Sequence, residues 1–115
     1  MFAAFLNKAR NWFRGLFRPR PKARGIVYYD ADELPHELPE FDLAVAREDG
    51  TLWTAGMRCP CGCGRRLEVM LLPGVTPRWD LQVDPDGRPT LHPSIWVQDG
   101  CKAHFFLRSG MVEWC

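Results

Sequence analysis

Residues 43–64 read LAVAREDGTLWTAGMRCPCGCG. Two apolar-rich stretches, Leu43–Arg47 and Thr51–Met57, flank Asp49-Gly50, a dipeptide that adopts positive φ readily and closes tight hairpins. The second stretch runs into Cys59-Pro60-Cys61-Gly62-Cys63-Gly64, which joins it to a further strand expected at Leu67–Leu72. Pro60, Gly62 and Gly64 let the backbone fold tightly there, so that thiolates converge and main-chain N–H groups turn toward sulfur. The segment therefore announces strands pinned at one end by a cysteine-rich turn.

The same pattern continues on both sides. Arg78–Val83 and Thr90–Val97 flank Asp84-Pro85-Asp86-Gly87, and His104–Arg108 and Met111–Trp114 flank Ser109-Gly110. Upstream, Gly25–Tyr29 reads as a short strand, and the acidic Asp30–Asp42, with Pro35 and Pro39, reads as a loop. Beyond that loop the chain offers about seven short strands, with no internal repeat. The expected fold class is mainly β, a small β-meander or sandwich-like domain with one zinc, plus an N-terminal amphipathic α-helix.

Five cysteines are present, and three of them lie within five residues. Adjacent Cys-x-Cys pairs bridge each other poorly. The N-terminus has no unbroken apolar core or small-residue cleavage site of a signal peptide. Both features favour reduced thiols in a cytosolic compartment and metal binding over disulfides. Zinc takes four nitrogen or sulfur ligands in a tetrahedron. Cys59, Cys61 and Cys63 offer three, and Cys101, at the entry to the last hairpin, is the natural fourth. The cofactor expected is a structural Zn2+. Cys115 stands apart. The Cys101-x2-His104 spacing is also ligand-like, so His104 could replace one thiolate, and thiols without metal are the plain alternative.

The net charge of +1 hides an uneven distribution. Residues 1–24 carry seven Lys/Arg and no acid, and the remaining 91 residues have a net charge of −6. Phe2, Phe5, Leu6, Ala9, Trp12, Phe13, Leu16 and Phe17 recur at helical spacing, with Lys8, Arg10, Arg14 and Arg18 on the rest of the wheel. The expected organisation is a cationic amphipathic helix over 1–18, a Pro/Arg linker over 19–25 and a zinc-containing β domain over 26–115. Two placements fit the helix best: an anionic surface at the inner face of the membrane, or docking on the protein's own sheet. A nucleic-acid arm is a third reading that would waste the apolar stripe on phosphates. A nucleic-acid module is disfavoured because the zinc-holding body is acidic.

Thr90-Leu-His-Pro-Ser94-Ile-Trp96 adds a second kind of chemistry. A serine hydroxyl becomes a nucleophile only when a base takes its proton. His92, two residues back, and His104, on the next expected strand, are both available. The bland reading ends a strand at Ser94 and buries or metallates His104.

Taken in order, Cys59-Pro-Cys-Gly-Cys-Gly, Trp79, Thr90-Leu-x-Pro-Ser94-Ile-Trp, Gly100-Cys101-x2-His104-Phe-Phe and Gly110-x3-Trp114 resemble a family described as a domain of unknown function. Its members occur in bacterial operons beside ThiF-type E1-like adenylyltransferases, E2-like proteins and multi-ubiquitin-like proteins. The likeness spans roughly Leu52–Trp114. The family's recurring Pro-Ser and Cys-x2-His positions fall on Pro93, Ser94, Cys101 and His104, and the resemblance implies a serine peptidase processing or removing a ubiquitin-like tail. His92 is not part of the pattern. Under this reading Ser94 is the nucleophile and His104 the base, with Asp80, Asp99 and Glu113 as candidates for a third member. The alternative keeps the zinc and drops the chemistry, leaving a module that recruits a ubiquitin-like protein or its E1/E2-like partners.

Overall fold

The structure, a computed structural model, describes residues 22–115. The expected helix over 1–18 and linker residues 19–21 lie outside the described residues.

Eight strands form two sheets. The first has the order β1-β2-β3-β4, from β1 (Ile26–Asp30), β2 (Leu43–Glu48), β3 (Thr51–Arg58) and β4 (Arg66–Met70). The second has the order β5-β6-β7-β8, from β5 (Asp80–Val83), β6 (Pro89–Trp96), β7 (His104–Arg108) and β8 (Met111–Trp114). Among the described residues there is no helix. Each hairpin turns where the sequence announces it: Asp49-Gly50 and Ser109-Gly110 all carry positive φ.

Alternate residues of both sheets meet in one core. Leu43, Val45, Ala55, Met57, Leu67 and Val69 come from the first sheet, and Leu91, Ile95, Phe105 and Leu107 from the second. Period-two alternation sends every second side chain inward. Burying a side chain such as Phe105, which is fully covered, contributes about 1.5–3 kcal/mol. The result is a sandwich of two meanders.

One connection differs from a simple meander. β1 pairs with β2 in parallel, from Ile26↔Leu43 to Asp30↔Arg47, so the chain must cross back over the sheet. Residues 31–42 make that crossover and cover the outer face of the first sheet. This explains why Ala44 and Ala46 are as buried as their core-facing neighbours. Arg66 holds the crossover through its guanidinium, which donates to the carbonyls of Pro35 and His36, both at 2.8 Å.

Gly56 lies under the crossover. A Cβ there would stand 2.6 Å from Leu34 Cδ1 and 3.3 Å from the Leu67 carbonyl. Gly56→Val should therefore destabilise the protein by about 1–3 kcal/mol, the usual cost of overpacking, as a lowered midpoint in thermal unfolding. An unchanged midpoint would show that the crossover does not pack as described.

Residues 22–25 lie against the body. The Arg24 N–H donates to the Gly110 carbonyl at 2.8 Å, and the Gly110 N–H donates to the Pro89 carbonyl at 2.7 Å. Any Cβ on Gly110 would collide with the Arg24 backbone.

Candidate active site and metal centre

Pro93 interrupts the β6 ladder because it has no N–H to give. Leu91 pairs with Leu107 and Ile95 with Phe105, so His92, Pro93 and Ser94 together stand opposite Phe106 alone. Beyond this bulge the register resumes with Trp96 opposite His104. Ile95 then points into the core, and Ser94 and Trp96 point to the outer face with His104.

Ser94 Oγ lies 3.0 Å from His104 Nε2. Ser94 is the diagonal neighbour of His104, within reach on one face of an antiparallel pair. Trp96, directly across, stacks on the imidazole with ring centroids 5.0 Å apart and planes 13° from parallel. That indole remains 58% exposed, so it covers the histidine without being core. Trp79 holds the serine backbone: its indole N–H donates to the Ser94 carbonyl at 3.3 Å, and its main-chain N–H donates to the Met70 carbonyl at 2.8 Å.

The three candidate acids are engaged elsewhere. Asp80 pairs with Arg78 at 2.8 Å, Asp99 with Arg65 at 2.8 Å and Glu113 with Arg108 at 3.2 Å. Among the described residues no carboxylate hydrogen-bonds the His104 ring. His92 is exposed and pairs across the strand with Asp80, away from His104.

The sulfurs of Cys59, Cys61, Cys63 and Cys101 all lie within 4.8 Å of one another. Cys59 is 3.3 Å from Cys61 and 3.7 Å from Cys101. Four sulfurs around one ion at about 2.3 Å would be spaced by ~3.8 Å in a tetrahedron. An all-thiol set of this size suits zinc, and His104 is not part of it. Burial pushes the Cys59 thiol up to about 12, and the Arg65 N–H draws the exposed Cys63 down to about 7. A cation would draw off the protons of all four as it bound.

Two loops make the cluster. The Cys59 N–H donates to the Arg65 carbonyl at 2.7 Å, which closes the 59–65 turn. The loop carrying Cys101 is closed by Val97 N–H to the Ala103 carbonyl at 2.7 Å. Arg65 ties the loops together, with its guanidinium on the Asp99 carboxylate at 2.8 Å and on the Asp99 carbonyl at 3.3 Å. Ala103 is buried beside His104, so the strand carrying the histidine begins from the loop that the thiols anchor.

Two contacts go beyond the sequence reading: Trp96 on His104, and Arg65 on Asp99. Trp96 sits at Ser94+2, which on a strand means the same face, and that spacing was the available signal. Nothing in the order of residues marked Arg65 and Asp99 as partners 34 positions apart.

The family model described as "Bacterial ubiquitination-like system serine protease (BubE)" matches residues 30–115. No curated protein and no solved structure matches the chain. The chain belongs to the family of bacterial ubiquitination-like system serine proteases, as the ordered motifs of its second half led one to expect.

Proposed function

We propose that this member of the family is a peptidase that cuts at the C-terminal tail of a ubiquitin-like protein, with Ser94 as nucleophile, His104 as base and a structural zinc on Cys59, Cys61, Cys63 and Cys101. The observation that carries the reading is the 3.0 Å contact of Ser94 Oγ with His104 Nε2 on an outward face, with the histidine separate from the thiol cluster.

In the reactive form the Ser94 hydroxyl donates to Nε2 and Nδ1 carries the ring proton. Oγ attacks the scissile carbonyl as Nε2 takes the hydroxyl proton. The tetrahedral adduct collapses, the C–N bond breaks, and the proton on Nε2 passes to the leaving amine. Water repeats the sequence on the acyl-serine, releasing the tail carboxylate and restoring both residues. Cys59, Cys61, Cys63 and Cys101 would hold the metal, which would fix the loop from which β7 begins.

Among the described residues no carboxylate meets the His104 ring, and its orientation falls to Trp96. Such aromatic pairs contribute about 0.5–1.5 kcal/mol. Trp96→Ala should therefore lower kcat by up to about tenfold, and Trp96→Phe should retain most of the rate. Equal rates in wild type and Trp96→Ala would remove the indole from the mechanism.

The reading is tested by incubating the protein with a ubiquitin-like protein bearing a C-terminal extension and weighing the products. A single cut at the tail, with a fluorophosphonate adduct mapping to Ser94, is expected. An intact substrate with no adduct would leave a recruiting module instead.

The proposal extends to location. The basic, aromatic-rich residues 1–24 suit an anionic membrane surface, each Lys or Arg adding about 1 kcal/mol of attraction. The full chain should pellet with anionic vesicles and not with zwitterionic ones. Equal pelleting with both would end this part of the reading.

A further inference from the structure

We propose that the open edge of β6 beside Ser94 is the substrate groove, and that it takes the tail of a ubiquitin-like protein as an added strand, hydrogen-bonded through the main chain of Trp96. This rests on the peptidase reading above.

β5 covers only part of β6. Their pairing runs from Val83↔Pro89 to Asp80↔His92 and stops, because the chain at Trp79 bonds instead to Met70 of β4. From Ser94 onward β6 has β7 on one side and, among the described residues, no strand on the other. The bond from Val97 N–H to the Ala103 carbonyl, with strand alternation, points the main-chain groups of Ile95 and Val97 toward β7. Those of Trp96 point away into the gap. The Ser94 carbonyl points the same way and is taken by the Trp79 indole.

The opposite wall is the edge of β4. Cys59 N–H to the Arg65 carbonyl and Leu71 N–H to the Trp53 carbonyl fix the phase, so the main-chain groups of Arg66 and Glu68 point outward. Trp79 braces the walls near Ser94, and the Arg65–Asp99 pair braces them further along. Apolar Leu67, Val69, Ile95 and Val97 line the groove between them.

Free main-chain groups beside an apolar floor fit an extended peptide, as in strand addition to a sheet edge. A strand laid there lies beyond Trp79 in the line of β5, alongside Trp96, with one end directed to the Ser94 hydroxyl on the outer face. A protein tail is the one part of a folded ubiquitin-like substrate that can extend in this way.

The test uses Ser94→Ala protein, which binds without cutting, and a labelled peptide spanning the processing site of a ubiquitin-like protein. Saturating peptide should slow exchange of the Trp96 amide at least tenfold. N-methylation along the peptide should weaken binding about threefold to tenfold at alternate residues and little between them. Glu68→Pro, tolerated at an edge whose N–H faces outward, should bind as before.

Uniform tolerance of N-methylation with an unchanged Trp96 amide would overturn the proposal. So would loss of binding in Glu68→Pro, which would move the tail to β4. Trp96 protection in the peptide-free full chain would also overturn it, by giving the edge to the chain's own N-terminal residues. Binding with Trp96 protection, in a protein whose wild type never cuts the peptide, would support the groove and sink the peptidase reading.

Discussion

Ser94→Ala and His104→Ala should each lower cleavage of a ubiquitin-like substrate by about 10³-fold or more, with metal content and thermal midpoint unchanged. The two losses should be similar, and the double variant should be no worse than either. A nucleophile without its base and a base without its nucleophile fail at the same step, so their effects do not add. Folding should survive because neither side chain is core. Both lie on the outer face of the second sheet, and the Ser94 hydroxyl bonds only His104 among the described residues. His92→Ala should keep the wild-type rate, since His92 is exposed and stands opposite Asp80. The measurement is kcat/KM on a tail-extended substrate, with melting curves and elemental analysis for each variant. Full activity in Ser94→Ala would move the chemistry to another group and reduce the Ser94–His104 contact to surface packing.

Cys59→Ser and Cys101→Ser should unfold or aggregate the protein rather than merely slow it. The wild type purified without chelator should carry about one zinc per chain. Structural zinc sites contribute on the order of 10–16 kcal/mol in small peptides at neutral pH, while a whole domain is stable by only about 5–15 kcal/mol. Losing one of four ligands therefore removes a large share of what holds the fold. Cys59 is the more severe case, because it is buried in the core cluster as well as facing the other sulfurs. Cys115→Ser is the control. Its sulfur is outside the cluster, and among the described residues it bonds through its main-chain N–H, on the His104 carbonyl at 3.0 Å. Acid should release the metal, since occupancy requires all four thiols deprotonated and falls as they regain protons. A metal-free wild type with an unaltered melting curve would overturn this account.

Strand content was legible because it depends on local pattern. Asp49-Gly50 and Ser109-Gly110 close hairpins through backbone preferences of the turn residues themselves, and alternation around them marks which side chains face inward. The thiol cluster was legible for a related reason: three of its members lie within five residues, and only the fourth, Cys101, had to be supplied from a distance. The joint reading of Ser94 with His104 came from resemblance to a family. The order of residues alone left His92 equally available and His104 a possible metal ligand.

What the sequence determined by itself was the set of strands, the turns between them and the crowding of the thiols, all set by interactions between near neighbours. Tertiary structure decided the rest. It divided the strands into two sheets, and it laid β1 parallel to β2 so that residues 31–42 had to cross the outer face. It also opened β6 at Pro93, leaving Ser94 diagonal to His104 and Trp96 stacked upon it. Arg65 met Asp99, and Trp79 met both Met70 and Ser94, only once the sheets had packed. Such pairings depend on which edges and faces are left free when the shared core closes, a competition among distant segments that no local pattern encodes.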